Sequence, residues 1–227
     1  MSTMTSQSAS GASSQTTLIR LGIALEVSTV YAGILLYIWQ WQLTYPRAWM
    51  ALLALVLASH VAHRDSLHDL GLTLLELRAS AQAVLPLATA LFVPVAIYGL
   101  ASGKLFPLAP GVKTIASFAG YGLWCVFQQY LTQSFFHNRL MRLASNHHVS
   151  SLFVALMFGA AHIPNPILMV ATTLGGFILA EVFARHRNVY PLALAQTVGG
   201  FLIAALSPTS LIHNMRVGPG YFLFGLR

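Results

Sequence analysis

Two kinds of side chain could do chemistry inside this largely apolar sequence: one imidazole and a set of carboxamides. His162 closes the run Phe158-Gly-Ala-Ala-His162, and Ile-Pro-Asn-Pro166 then breaks it. Earlier in the chain come Gln128, Gln129 and Gln133, and later Gln196. A neutral imidazole can act as a general base, a metal ligand or a hydrogen-bond partner. A carboxamide has no useful basicity, but it donates and accepts hydrogen bonds and can hold a carbonyl or an oxyanion. Either group is costly in hydrocarbon without a partner, and an ionisable residue inside a membrane segment marks a functional site by default. Helical positions three and four apart share a face, so Gln129, Gln133 and His137 form one ridge, flanked by Gln128. The candidate site is His162, Gln128, Gln129 and Gln196 at the chemistry, with Gln133 and Phe158 in binding. The plain alternative is that the glutamines only join helices and that His162 is a satisfied core histidine.

Apolar runs must position these groups. Seven spans are expected, over 18–42, 47–62, 81–101, 114–137, 149–162, 167–184 and 190–206, with a short eighth segment at 221–226. Pro86 and Pro94 fall inside the third, where neighbours must take up the freed carbonyls. The Gly175-Gly176 pair in the sixth allows a close helix contact. Residues 64–79 alternate charges with leucines and read as a polar connection, partly an interfacial helix. Residues 102–113 read as a loop. Glu26 lies inside the first span, where it can snorkel or pair. Glu181 and Arg185 stand at an i,i+4 spacing suited to pairing.

The composition excludes a soluble protein. Of 227 residues, 56% are hydrophobic and only 7% charged, against about 25% charged in soluble domains. The net charge of +7 comes from basic residues spread singly or in pairs between apolar runs, which suits loops facing anionic lipid rather than nucleic acid. Arg20, Arg64, Arg78, Arg139, Arg142, Arg185 and Arg187 collect on one side, against Arg47, Lys104, Lys113, Arg216 and Arg227 on the other. The richer side is expected to be cytoplasmic. That puts the N-terminus in the cytoplasm of a multi-pass protein of the inner (plasma) membrane. Cys125 is the only cysteine, which excludes an intramolecular disulfide and a cysteine-based zinc site. Residues 1–16 are polar and uncharged and are expected to be disordered; 17–227 form a single membrane domain.

These stretches resemble the CPBP family, the CAAX-processing and bacteriocin-processing intramembrane endopeptidases. That family carries an EExxxR motif, then FxxxH, then HxxxN. Phe158 and His162 match FxxxH. Gln128 and Gln129 stand where the family has its paired glutamates, Gln133 where it has arginine, Gln196 where it has histidine and Gly200 where it has asparagine. Gly176 to Arg185 and Asn188 to Gln196 resemble its glycine-rich helix, arginine turn and proline-led last helix, and Asp69-Leu-Gly-Leu72 resembles a further recurring feature. The resemblance covers roughly 64–206 and implies an all-α, polytopic transmembrane bundle of about seven or eight spans with an interior polar cavity.

The resemblance also implies peptide hydrolysis, with carboxylates and histidines activating water directly or through a metal. Here the carboxylates are replaced by amides, so the general-base contribution, typically about 10²–10⁴-fold, would fall to His162 alone. Zinc at His162 would need ligands from elsewhere, and the family's set is incomplete; His137, His147, His148 and His213 are candidates only if the fold brings them near. Three readings follow. The first is a diverged member with weak, altered or no peptidase activity that binds a membrane-embedded peptide or lipid-like ligand. The second is an active endopeptidase acting on membrane-associated substrates, with His162 central. The third is a non-catalytic membrane scaffold.

Overall fold

A computed structural model describes residues 4–104 and 112–223, with side chains described for 15–104, 115–208 and 210–223. Most of the expected loop at 102–113 and the end of the expected segment 221–226 lie outside the described residues. The described chain is all-helical. Helix α1 (Met4–Leu36) runs through the polar stretch expected to be disordered, of which residues 1–3 lie outside the described residues. It loosens into a π-helical turn, Tyr37–Trp41, and ends in α2 (Gln42–Thr44). Then come α3 (Trp49–His63), α4 (Leu77–Ala101) and α5 (Val112–Gln129). A second π-helical segment, Tyr130–His137, joins α5 to α6 (Asn138–Leu143). The rest is α7 (His147–Ala160), α8 (Pro166–Arg185), α9 (Val189–Leu206), α10 (Thr209–Ile212) and α11 (Pro219–Phe222).

Among the described residues, four stretches are long and apolar enough to cross a membrane: Gln15–Thr44, Leu77–Ala101, Pro166–Arg185 and Val189–Leu206. Helix His147–Ala160 is apolar but shorter. Leu25, Leu85, Ile97, Leu123 and Leu174 are exposed on the outside of the bundle. Together with the scarcity of charge, this defines a membrane-embedded helical bundle.

Three asparagines set the starts of the inner helices. The Oδ1 atoms of Asn146, Asn165 and Asn188 accept from the backbone N–H of His148, Leu168 and Tyr190 at 2.7, 3.2 and 3.1 Å. Each satisfies a donor that the first turn cannot pair itself, worth about 1 kcal/mol. Asn165 and Asn188 also brace neighbouring segments: Nδ2 of Asn165 donates to the Ile212 carbonyl and Nδ2 of Asn188 to that of Thr73, both at 2.7 Å.

Helix α7 packs on α8, and α9 packs on both α4 and α5. One apolar core gathers Val30, Val56, Phe135, Phe136 and Val154, and the other Val84, Phe183, Val189 and Leu192. The glycine pair splits its work. Gly176 lies against Ala155 and Phe158, where an added Cβ would come within 3.3 Å of Phe158, whereas a Cβ on Gly175 would meet nothing within 4 Å.

Two expectations change. The connection after α3 forms turns rather than an interfacial helix up to Leu77, because its side chains hold its backbone: Asp69 Oδ2 accepts from the Ser66 N–H at 3.2 Å and from its hydroxyl at 2.6 Å. Arg139, expected as a surface topology charge, is fully buried. Its Nη2 donates to Asp65 Oδ2 at 2.7 Å and to Ser59 at 2.8 Å, and its Nε to Glu26 at 3.4 Å. Arg142 adds a bond to Asp65 Oδ1 at 2.6 Å and another to His63 Nδ1 at 3.0 Å. His63 Nε2 lies 2.9 Å from Glu26, and Ser59 donates to the same carboxylate. Glu26 therefore pairs rather than snorkels. This network ties α1, α3 and α6 together at one end of the bundle, where Arg20 also reaches the Leu143 carbonyl at 2.6 Å. Burial alone would raise the Asp65 carboxyl. The hydrogen bonds from Arg139 and His60, the charge of Arg139 and the bond from Arg142 instead pull it down to about 2.

Candidate functional site

The glutamines are joined to one another. Across the bundle, Gln196 of α9 inserts between the two glutamines at the end of α5: its Nε2 donates to Gln128 Oε1, and Gln129 Nε2 donates to its Oε1, both at 2.7 Å. Along the ridge, Gln133 Nε2 donates to Gln129 Oε1 at 3.2 Å, and His137 Nδ1 lies 3.1 Å from Gln133 Oε1. Ser151 on α7 closes the series, 3.3 Å from His137 Nε2.

With His137 neutral, every bond runs the same way: Ser151 donates to His137, which donates to Gln133, then Gln129, Gln196 and Gln128. Aligned bonds of this kind polarise one another. The π-helical segment makes room for the chain, since Gln133 and His137 project from its wider turns and both are fully buried. Such segments recur at functional sites. At the end of the chain, the Gln128 amide N–H₂ remains to donate.

Gln128 lines two cavities. One, about 830 Å³, lies among α4, α5, α8 and α9, with Gln196, Tyr121, Thr172 and Gly175 in its wall. The other, about 710 Å³, lies among α1, α3, α5 and α7. His162 and Phe158 line both, so they and Gln128 stand between two apolar spaces. Ligand sites are typically about 300–1,000 Å³, mostly apolar, with a few fixed polar groups.

His162 lies in the turn after α7, with its ring edge-to-face on Phe158 at 5.0 Å between centroids. Its Nδ1 donates to the Phe158 carbonyl at 2.7 Å, which leaves Nε2 as the acceptor. The Thr172 hydroxyl lies 3.4 Å from Nδ1 and donates to the Leu168 carbonyl. The four other histidines considered as partners for His162 are engaged elsewhere. His137 is in the glutamine chain, His147 and His148 flank Glu181, and the His213 ring stacks on Tyr221 at 3.8 Å. One imidazole among carboxamides does not fit zinc, which takes three protein ligands from His, Asp, Glu or Cys even at its open sites.

At the position of the family's asparagine, a Cβ on Gly200 would fall 2.7 Å from the Tyr121 ring. Tyr121 therefore occupies that space. Sequence reasoning also missed the C-terminal wall. Met215, Arg216, Val217 and Gly220 line the larger cavity. They continue from His213 and Asn214, and His213, Asn214 and Met215 hold φ of 46°, 53° and 58°. Left-handed backbone at successive non-glycine residues costs energy and persists where its surroundings fix it. Here Asn165 Nδ2 donates to the Ile212 and Arg216 carbonyls, and the Gly218 N–H to that of Ile163. The Gly-Pro-Gly at 218–220 was the one available signal.

Away from the cavities, His147, His148 and Glu181 place one potential ligand atom each within 4.8 Å of one another. Among the described residues this is the one cluster of three that could coordinate a metal ion. The expected Glu181–Arg185 pair adjoins it at 3.5 Å, longer than the 2.9 Å from His148 Nδ1 to the same oxygen.

Residues 110–202 match the family described as Rce1-like, type II CAAX prenyl endopeptidase Rce1-like. No curated protein and no solved structure matches the chain significantly. The matched segment contains α5, the π-helical segment, His162 and Gln196, and so the whole glutamine chain and part of the wall of both cavities. Over residues 110–202, less than half of the chain, the sequence is therefore similar to the Rce1-like, or CPBP, superfamily.

Proposed function

We propose that this is a diverged member of that superfamily, with weak, altered or no peptidase activity, that binds a membrane-embedded peptide or lipid-like ligand. Its helical rods make about seven or eight spans, in the inner (plasma) membrane with the N-terminus in the cytoplasm. One observation carries the reading: a head-to-tail hydrogen-bond chain, built without a carboxylate, ends on the Gln128 amide in the wall of two apolar cavities. A donor held in that way suits the carbonyl or phosphoryl oxygen of an amphiphile whose apolar part fills the cavities. It does not suit the activation of water, which needs a base.

The test is photocapture in nanodiscs, with a diazirine-labelled lipid and a diazirine-labelled transmembrane peptide as separate probes. Capture by either that maps to α5, α8 or α9 and falls in Gln128→Ala supports the reading. Equal capture by the wild type and Gln128→Ala overturns it.

The alternative, an active endopeptidase with His162 central, draws on the geometry of that ring. Its Nδ1 is committed to the Phe158 carbonyl, so Nε2 is the basic nitrogen and His162 borders the cavity. Cleavage of a transmembrane peptide by the wild type, lost in His162→Ala, would favour it over simple binding.

A further inference from the structure

The cluster at His147, His148 and Glu181 lies outside the cavities and plays no part in the proposed binding. We infer that it is a site for a divalent transition metal of the zinc class, joining the start of α7 to the end of α8.

The geometry is suited to this. His148 Nδ1 lies 2.9 Å and His147 Nε2 3.6 Å from Glu181 Oε2. Three donors each bonded to one zinc at about 2.0–2.2 Å lie a little over 3 Å apart, so small side-chain shifts are enough. The two rings are 3.9 Å apart between centroids, and the backbone beneath them is fixed by the Asn146 cap. Both imidazoles are about half exposed, so an ion has a way in, while the Glu181 side chain is only 14% exposed.

A second observation, independent of these distances, concerns the carboxylate itself. Glu181 Oε1 is buried and has no hydrogen-bond partner among the described residues. A buried carboxylate oxygen left unpaired is costly, and a metal held by both carboxylate oxygens would satisfy it. Two nitrogens and a carboxylate select zinc or its neighbours over calcium and magnesium, which take mainly oxygen ligands. Such a set leaves a position for water.

The competing account is an ordinary ion-pair cluster around one carboxylate, with Arg185 Nη2 at 3.5 Å as its permanent cation. The two accounts diverge at Arg185. If the ion is native to the site, Arg185 competes with it for Glu181, and removing the guanidinium strengthens metal binding.

The experiment uses the full chain, purified in detergent through a tag without histidine, stripped with chelator and titrated calorimetrically with zinc chloride. Magnesium and calcium chloride serve as controls. One zinc per chain is expected, with no magnesium or calcium uptake and a raised thermal midpoint on zinc addition. His148→Ala and Glu181→Gln should each weaken zinc by at least about 100-fold, since even outer-shell changes cost about 10–100-fold. Arg185→Gln should tighten it, and His162→Ala should leave it unchanged. Cobalt absorption bands supply a readout independent of stability, and elution of each variant as a folded monodisperse species guards against loss by misfolding. No zinc uptake, uptake unaffected by Glu181→Gln, or uptake lost in His162→Ala would overturn the assignment. Because no cavity residue is altered in the cluster variants, this outcome is separate from that of ligand capture.

Discussion

Gln196 of α9 sits between Gln128 and Gln129 of α5, accepting from one and donating to the other at 2.7 Å in each case. Two adjacent helical residues point about 100° apart, so a single side chain can serve both only if it enters from a facing helix at their depth. Helix α9 packs on α5 in that way. The arrangement turns a local ridge of amides into a chain that crosses the bundle.

The chain can be tested by its energetics. Gln129→Ala and Gln196→Ala should show a coupling energy of about 0.6 kcal/mol in a double-mutant cycle, the usual scale for a hydrogen bond between membrane helices. Unfolding by denaturant in mixed micelles reads it. Strict additivity would mean that the two amides do not depend on each other.

Filling the cavity should block the ligand without disturbing the fold. Gly175 lines the larger cavity, and a Cβ there meets nothing within 4 Å. Gly175→Phe is expected to keep the wild-type thermal midpoint within a few degrees and to lose most of the photocapture. Gly176→Phe, directed against Ala155 and Phe158, should instead reduce folded yield. If both variants capture normally, the ligand lies elsewhere.

Arg139 and Arg142 both bond Asp65, but they should differ sharply on removal. Arg139 is fully buried, and Arg139→Met removes the buried guanidinium shared by Asp65 and Glu26, which is expected to cost about 3 kcal/mol. The Arg142 side chain is 40% exposed, and Arg142→Met should cost less than about 1 kcal/mol. Accumulation in membranes and thermal midpoints would separate the two.

Acid should weaken this end of the bundle in a defined window. Asp65 is held down to about 2 from an ordinary 3.8. A depressed carboxylate adds stability that is fully present above the unfolded value and is lost as pH falls through the folded one. The midpoint should therefore drop as pH falls from about 4 to about 2. Asp65→Asn, less stable at pH 6, should lose less over that window; an identical fall in both would assign the acid sensitivity to other groups.

The sequence by itself determined the class and the local pattern. A charge content of 7% left a membrane bundle as the only consistent class. The helical period put Gln129, Gln133 and His137 on one ridge, and their bonds along the helix follow that period. Such relations are legible because they depend on three or four neighbouring residues.

Tertiary structure decided everything that depended on the depth and rotation of one helix against another. The placing of Gln196 between Gln128 and Gln129, the burial of Arg139 against Glu26 and Asp65, and the meeting of His147 and His148 with Glu181 each join residues far apart in the chain. For Glu181 the sequence offered a plausible local partner in Arg185, and the closer contact came from another helix. A fixed helical spacing licenses a pair within one helix, but says nothing of which neighbour faces it once the bundle has packed.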